Sequence, residues 1–296
     1  MRDPARIFAS ATIVGSIVLH HASIASAAGV SSAKSRFDGS NGVNTWVIFG
    51  FTEGSDVGLA GERALFQDAF LRASGRQDGF RALDNSLGIA YAPTDRFVVW
   101  IGGVATFETG SQAQADADLG SYHAVGITAG AKYQFLSRQE SPFGVSLQVS
   151  PSWQPIGNGP AEIRSGELRG IIDRALGGGW YSALNVAVQP ERETGNQGFS
   201  AYSTTVEISG AITHQLGGDV FLGGELRALK KTDTARFWDA GTRSLHLGPT
   251  LFVQLGASGY LGLSWSVQIA SDVNPAGGSD LALERHHVRL KSGFSF

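Results

Sequence analysis

The sequence predicts an all-β protein, a transmembrane antiparallel up-and-down β-barrel of about 12 strands. Two observations along the chain support this: segments of alternating apolar and polar residues, and connections that are alternately short and long. A third is compositional, since only 17% of the 296 residues are charged and 40 are glycine. Soluble domains carry nearer a quarter charged residues. A sheet with one apolar face and one small, polar face accounts for all three.

The segment 143–154 illustrates the alternation. Its odd-numbered residues are mostly Phe, Val, Leu and Trp, whereas its even-numbered residues are Gly, Ser and Gln. A strand places such sets on opposite sides because its side chains repeat every two residues. The segment 96–107 is apolar on both faces, so its orientation stays ambiguous. We predict strands at 64–75, 80–92, 96–107, 121–136, 143–154, 165–176, 180–189, 201–215, 219–230, 243–256, 259–271 and 284–296.

The connections between these segments alternate in length. The short ones are 93–95, 137–142, 177–179, 216–218 and 257–258. The longer, polar ones lie near 108–120, 155–164, 190–200, 231–242 and 272–283, whereas the first of that series, near 75–79, is short. Barrels of the bacterial outer membrane have short periplasmic turns and longer external loops. An even number of strands then places both chain ends on the periplasmic side.

The N-terminus has the layout of a secretory signal. Arg2 and Arg6 precede the uncharged, apolar stretch 7–19, and Ala25-Ser26-Ala27 forms a small-residue cleavage site. The apolar stretch is short for a spanning helix, although a retained membrane anchor is the alternative. We therefore predict a signal peptide at 1–27, removed on export to the outer membrane.

The segment 28–63 separates the signal from the barrel, which we place at 64–296. Trp46 and Phe49 are followed by Glu53 and Asp56 among glycines. One interpretation is a plug or constriction folded into the lumen. The alternatives are an ordered periplasmic lead-in or one extra partial strand. Carboxylate oxygens suit Ca²⁺, but their spacing does not match an EF-hand loop.

Assigning the small, polar faces to the lumen places a set of ionisable side chains inside. Six are acids and six are bases, and two inward histidines complete the set. Such balance predicts weak ion selectivity, or ion pairs that brace the interior. The predicted lumen-lining residues are Asp68, Arg72, Asp84, Lys132, Glu167, Arg169, Asp173, Glu207, Glu225, Arg227, His246, His287, Arg289 and Lys291.

Several function classes find no support in the sequence. The chain has no cysteine, which excludes disulfides and thiol chemistry. Its net charge of −3 offers no field for nucleic acid. Neither His246 nor His287 has a Ser or carboxylate motif beside it, and metal-ligand spacing such as HExxH is absent. We therefore predict no enzyme, no cofactor and no metal site. A soluble β-sandwich would carry more charge on its outer faces.

One motif carries a family resemblance. The stretch 49–56 reads FGFTEGSD and is followed by Gly61-Glu62. It resembles a group of uncharacterised alphaproteobacterial outer-membrane β-barrel proteins. Shorter matches to that pattern lie at 92–95, 142–144, 248–251, 265–268 and 284–286. The resemblance implies fold and location only, because no activity is established for the group.

The function we predict is a narrow passive pore or channel-like transporter for small polar solutes. The alternatives are a structural or assembly barrel with an occluded lumen, or an outer-membrane hydrolase. The expected partners are outer-membrane lipid, possible small polar solutes and, during biogenesis, the barrel assembly machinery. The last of these is indicated by the closing strand, in which Val288, Leu290, Phe294 and the terminal Phe296 share one face.

Overall fold

The computed structural model describes residues 43–74, 80–109, 121–157, 159–195, 197–272 and 284–296. Within these residues twelve antiparallel strands close into one barrel, which confirms the predicted fold class and strand number. The predicted signal peptide at 1–27 lies outside the described residues. The strands are β1 (Arg63–Ala73), β2 (Arg81–Thr94), β3 (Phe97–Thr109), β4 (Ser121–Leu136), β5 (Gly144–Pro155), β6 (Glu162–Gly177), β7 (Trp180–Thr194), β8 (Ser200–Gly217), β9 (Val220–Thr232), β10 (Thr242–Leu255), β11 (Gly259–Asp272) and β12 (His286–Ser295).

Each strand pairs with its neighbour in the chain, and β1 pairs with β12 to close the sheet. At this seam Asp68 lies opposite Lys291. The backbone N–H of Phe296 donates to the carbonyl of Arg63 over 2.9 Å, so the last residue extends the ladder. Closure leaves no unpaired strand edge, which is the condition for a sheet to span lipid.

The distribution of side chains is the reverse of that in a soluble protein. Large apolar residues cover the outer surface; Ile101, Val125 and Ile127 are each more than half exposed. Charged residues lie inside, and Lys132 and Glu225 are almost fully buried. An apolar belt around a polar interior is stable in lipid and not in water. Among the described residues, no helix is long and apolar enough to span a membrane.

The orientation of β3, which the sequence leaves open, is resolved by its register. Val98 is buried and Trp100 points into the barrel, where its ring lies 6.3 Å from that of Trp46. Ile101 and Phe107 face outward. The strand is apolar on both faces because its inner face packs against residues that precede β1.

Some strands extend further than their sequence pattern indicates. β7 continues to Thr194, so the connection predicted at 190–200 shrinks to 195–199. Pro190 and the charged residues 191–193 resemble a loop because they lie beyond the apolar belt, where neither face of a strand has to be apolar. The predicted loop at 75–79, and most of those at 108–120 and 272–283, lie outside the described residues.

Candidate functional site

Residues 43–62 are here called the inner segment; residues 43–58 lie inside the barrel, and Ala60 and Gly61 are exposed at its rim. They contact side chains of β4, β6, β7, β9 and β12, which surround the lumen on several sides. Most of these contacts are near the end of the barrel that carries the short turns, here called the turn end. The inner segment therefore crosses the lumen instead of leading away from it.

The first part of the inner segment forms an apolar base at the turn end. Val47, Ile48 and Phe49 pack against inward-facing aromatic residues of the wall, among them Phe221 and Phe252. The prediction that the lumen face is small and polar is wrong here. These aromatic residues have lumen-facing positions in their strands, and the inner segment supplies the apolar surface that buries them.

The next part of the inner segment is held through its backbone. Glu225 accepts the N–H groups of Phe51 and Thr52 over 2.7 and 2.9 Å. Asn185 accepts the N–H of Glu53 over 2.7 Å and donates to its carbonyl over 2.9 Å. Buried backbone groups outside regular structure need such partners. Three consecutive residues thus use wall side chains in place of a neighbouring strand.

Ser55 forms the last of these anchors. Its backbone N–H and its hydroxyl both donate to Asp173, over 3.0 and 2.7 Å. The hydroxyl of Thr45 donates to the same carboxylate, and Arg138 lies 3.4 Å from it. Arg138 also pairs with Asp56. Asp173 therefore joins the start and the end of the anchored stretch to one point on β6.

Cations of the wall bind the carbonyl groups of the same stretch. Arg169 and Arg289 donate to the carbonyl of Phe51 over 3.1 and 3.3 Å, and Lys132 donates to that of Gly54. The guanidinium of Arg227 lies 3.8 Å from the centre of the Phe51 ring. Hydrogen bonds to charged groups are stronger than neutral ones, contributing about 1.5–3 kcal/mol each. Residues 51–55 are therefore held across the lumen by side chains from several strands.

Close approach explains two glycines of the inner segment. A Cβ at Gly50 would collide with the Glu225 carboxylate and the Ser264 hydroxyl. A Cβ at Gly54 would collide with the backbone carbonyl of Thr45. Ser264 thus faces the lumen, but a large residue there would meet the inner segment.

Above the inner segment, towards the end with the long loops (the loop end), the lumen contains a network of charges. Arg72 contacts Asp84 at 3.2 Å and Glu284 at 2.8 Å. Glu284 lies 2.9 Å from His287, whose other ring nitrogen is 3.0 Å from Arg227. Arg227 also donates to Glu207 over 2.6 Å. The network links β1, β2, β8, β9 and β12 across the barrel.

Glu284, in the connection before β12, stays ionised in this network. Burial alone raises its pKa, but the charge of Arg72 and the hydrogen bond with His287 outweigh burial and hold the pKa well below its usual range. A carboxylate with a lowered pKa stabilises the fold above its unfolded-state pKa. That contribution is lost as the pH falls from the ordinary glutamate range towards the lowered value.

The two inward histidines stack on each other, with ring centres 4.2 Å apart. The sequence shows no Ser or carboxylate motif directly beside either histidine, but the fold brings one such group to each. The Ser244 hydroxyl lies 3.0 Å from His246, and Glu284 contacts His287. Ser244 is two residues from His246, and Glu284 is three residues from His287; these spacings are the signals in the sequence that could have indicated the contacts. Within the described residues, however, Nδ1 of His246 has no hydrogen-bond partner. A Ser–His pair needs a third group that orients the base, and Glu284 binds the other histidine instead.

The structure places all fourteen predicted lumen residues on the inner face, and it pairs most of their charges. Arg169 pairs with Glu167 at 2.8 Å. Asp68 accepts hydrogen bonds from Arg289 over 2.9 and 3.1 Å, although Lys291 lies directly opposite it. No group of three or more possible metal ligands occurs within the described ranges. Glu53 and Asp56 belong to the stretch interpreted from the sequence as a plug or constriction. The residues that sequence reasoning missed are Arg138, Asn185, Ser244 and Glu284.

Asp68→Asn is expected to lower the free energy of unfolding by about 1–3 kcal/mol, because it removes the nearer of the two carboxylates beside the largely buried Arg289 and leaves only Glu53, 3.7 Å away. Adding Arg289→Gln should recover part of the loss. Urea titration of the protein in lipid vesicles would measure both variants. The exposed pair Arg96–Glu140 provides the control, since Arg96→Gln should change stability by less than about 1 kcal/mol. Additive effects of the Asp68 and Arg289 substitutions would contradict the pairing.

Comparison with known proteins supports the fold, and the family model that matches the chain has no assigned function. A family model described as a family of unknown function, DUF6662, matches residues 43–161, less than half of the chain. This range includes the FGFTEGSD stretch and the inner segment. No curated protein matches the chain.

Two solved structures are similar to the chain at low sequence identity. The COG4313 outer membrane channel from Pseudomonas putida F1 is 13% identical, with a TM-score of 0.56 over 82% of this chain and 98% of that one. The beta domain of the Bordetella autotransporter BrkA is 14% identical, with a TM-score of 0.52 over 81% of this chain and 100% of that one. At such identity the likeness shows the fold alone, which is a closed β-barrel of the outer-membrane kind.

Proposed function

We propose that the protein is a bacterial outer-membrane barrel that forms a narrow pore for small polar solutes, with the inner segment as a movable constriction. The observation that carries this proposal is how residues 51–55 are held. Their anchors are hydrogen bonds to Glu225, Asn185, Asp173 and charged neighbours. Water can replace such contacts, and a hydrogen bond to a charged group contributes only about 1.5–3 kcal/mol net.

The inner segment divides into a fixed and a movable part. The base around Val47–Phe49 is apolar and packed, so leaving the wall would expose it to water. Residues 50–56 make polar contacts. Their two glycines, Gly50 and Gly54, allow the backbone to pack closely against neighbouring groups. We therefore assign the movement to 50–56 and the anchorage to the base.

The paired charges of the lumen favour weak selectivity. Arg169 is matched by Glu167 and Arg227 by Glu207, so neither sign dominates the wall beside the inner segment. A pore selects strongly when one sign dominates. Small polar solutes of either charge, or none, fit this lumen better than one class of ion. The similarity to an outer membrane channel is consistent with such a role.

A structural barrel with an occluded lumen is the second candidate. The apolar base at the turn end and the ion pairs across the barrel favour it, since both would brace a closed interior. The two candidates differ in whether the inner segment moves in the intact protein.

Single-channel recording in planar bilayers separates the two functions. The intact chain should show small, discrete openings. A variant that lacks residues 43–60 should have a conductance several times larger, because no polypeptide then crosses the lumen. Retention of the folded barrel in the variant is checked by its heat-modifiable migration. An intact chain that never conducts, beside a deletion variant that does, would support the occluded barrel.

A further inference from the structure

Two like-charged pairs lie on the outer face of the barrel near the loop end. Arg164 of β6 is directly opposite Arg192 of β7. Trp153 and Tyr202 flank this pair, each opposite one of the arginines on the neighbouring strand. The four side chains form one row across β5 to β8, with an aromatic residue at each end.

The second pair lies on the next strands around the barrel. Lys230 of β9 is directly opposite Arg243 of β10. The connection between these strands bends over the same face, because Lys230 donates to the carbonyl of Phe237 over 3.1 Å. That connection also presents Arg236 and Trp238, both mostly exposed.

Like charges directly opposite each other on a sheet are destabilising unless something neutralises them. Local carboxylates do so only in part. Glu162 pairs with Arg164 at 2.8 Å, and Asp272 lies opposite Arg243. Arg192 donates to the neutral hydroxyl of Ser200 and shares the charge of Glu162 with Arg164. Lys230 donates to a carbonyl group and lies within the field of Asp239. Among the described residues, each pair of cations thus has about one carboxylate on each side of it at most, which leaves a net positive charge.

The position of these cations along the barrel axis indicates which part of the membrane they contact. Arg164 and Lys230 each lie four residues beyond an outward leucine of the apolar belt, and Arg243 is at the height of Lys230, directly opposite it. Four residues of a tilted strand rise roughly 9–10 Å, which exceeds the roughly 5–8 Å depth of the headgroup region on each side of the hydrocarbon, so the rise carries these cations from the apolar belt to the level of the headgroups. Trp153 and Tyr202 mark the same level, since aromatic side chains concentrate at that boundary.

We propose that this face binds the phosphate groups of a phosphorylated glycolipid of the outer leaflet, of the lipid A type. A bridging phosphate between Arg164 and Arg192, and another between Lys230 and Arg243, removes the repulsion within each pair. Arginine suits this role because its planar guanidinium binds phosphate through two hydrogen bonds. This site is on the lipid side of the sheet, so it does not depend on a conducting lumen.

Binding of diphosphoryl lipid A to the full chain, purified in detergent, tests the proposal. Native mass spectrometry and titration of the thermal midpoint should show saturable binding. Arg164→Gln combined with Arg192→Gln should raise the dissociation constant at least about tenfold, since a basic residue near a charged lipid surface contributes about fivefold. The matched control is Arg81→Gln, an outward arginine at the same end with no like charge opposite it. Because β2 is four strands away from both pairs, Arg81 cannot contact a lipid bound there, and its loss should change the constant less than twofold.

Enzymatically dephosphorylated lipid A gives a second comparison that needs no variant. It should bind the unaltered chain at least about tenfold more weakly than the diphosphoryl form. Equal binding of the two lipids would overturn the proposal, because the contact would then be apolar only. Unchanged binding by the double variant, or inorganic phosphate that competes as effectively as lipid A, would also overturn it.

Discussion

Glu225→Gln is expected to open the lumen more often and to destabilise the protein. The carboxylate accepts both the Phe51 and the Thr52 N–H groups, and an uncharged amide can accept only with its single oxygen. The loss of one charge-assisted hydrogen bond, about 1.5–3 kcal/mol, shifts the balance between closed and open states about tenfold or more. Single-channel recording would measure the open fraction, and thermal unfolding the stability.

Asp84→Asn is the matched control for Glu225. It also removes a lumen carboxylate, but Asp84 contacts Arg72 and Thr106 rather than the inner segment. The open fraction of the Asp84→Asn variant should stay within about twofold of the open fraction of the unaltered protein. An equal rise in open fraction for both variants would show that lumen charge, and not the hold on the inner segment, controls opening.

Val149→Arg is expected to lower the free energy of unfolding by about 2–4 kcal/mol, because Val149 lies mid-strand on the lipid face of β5. Ser150→Arg, one residue along, should cost less than about 1 kcal/mol. Ser150 faces the lumen opposite Glu167, which can pair with the new charge. Urea titration in lipid vesicles compares the two variants. Equal losses, or the larger loss at 150, would contradict the assignment of the faces.

The fold could be predicted because each strand carries its own signal. Period-two alternation with small residues on one side defines a strand and its two faces without knowledge of its neighbours. The signal fails where one face has an additional partner, as in β3, whose Trp100 packs on Trp46. It also fails beyond the lipid, where β7 continues through Pro190 because an exposed strand end needs no apolar face.

The candidate site could be predicted only in part. Strand parity gives the direction of Asp173 and Glu225, but it cannot show that both hold the backbone of residues 51–55. That contact depends on how the inner segment enters the closed barrel. Asn185 gives no signal of its own, since a neutral amide on a lumen face is common. Arg138 lies in a turn, outside any alternating pattern, yet it pairs with Asp56.

The contact of Asp68 across the seam between β1 and β12 could also be predicted only in part. The alternation places Asp68 within reach of Arg289 or Lys291 without choosing between them. Lys291 is directly opposite in the register, but Arg289 binds the carboxylate. A diagonal neighbour prevails because its guanidinium is long and offers several donors, which pair geometry alone does not encode.

A disulfide that locks the inner segment to the wall tests the central claim most directly, and the chain has no native cysteine to interfere. A Cβ at Gly144 would lie 3.0 Å from that of Ser55, so Ser55→Cys with Gly144→Cys needs a shift of less than about 1 Å, with Asp173 moving aside. Each single cysteine variant is the control. Conductance should disappear on oxidation and return on reduction only in the double variant. Equal conductance of the oxidised and reduced double variant would contradict the inner segment as the constriction.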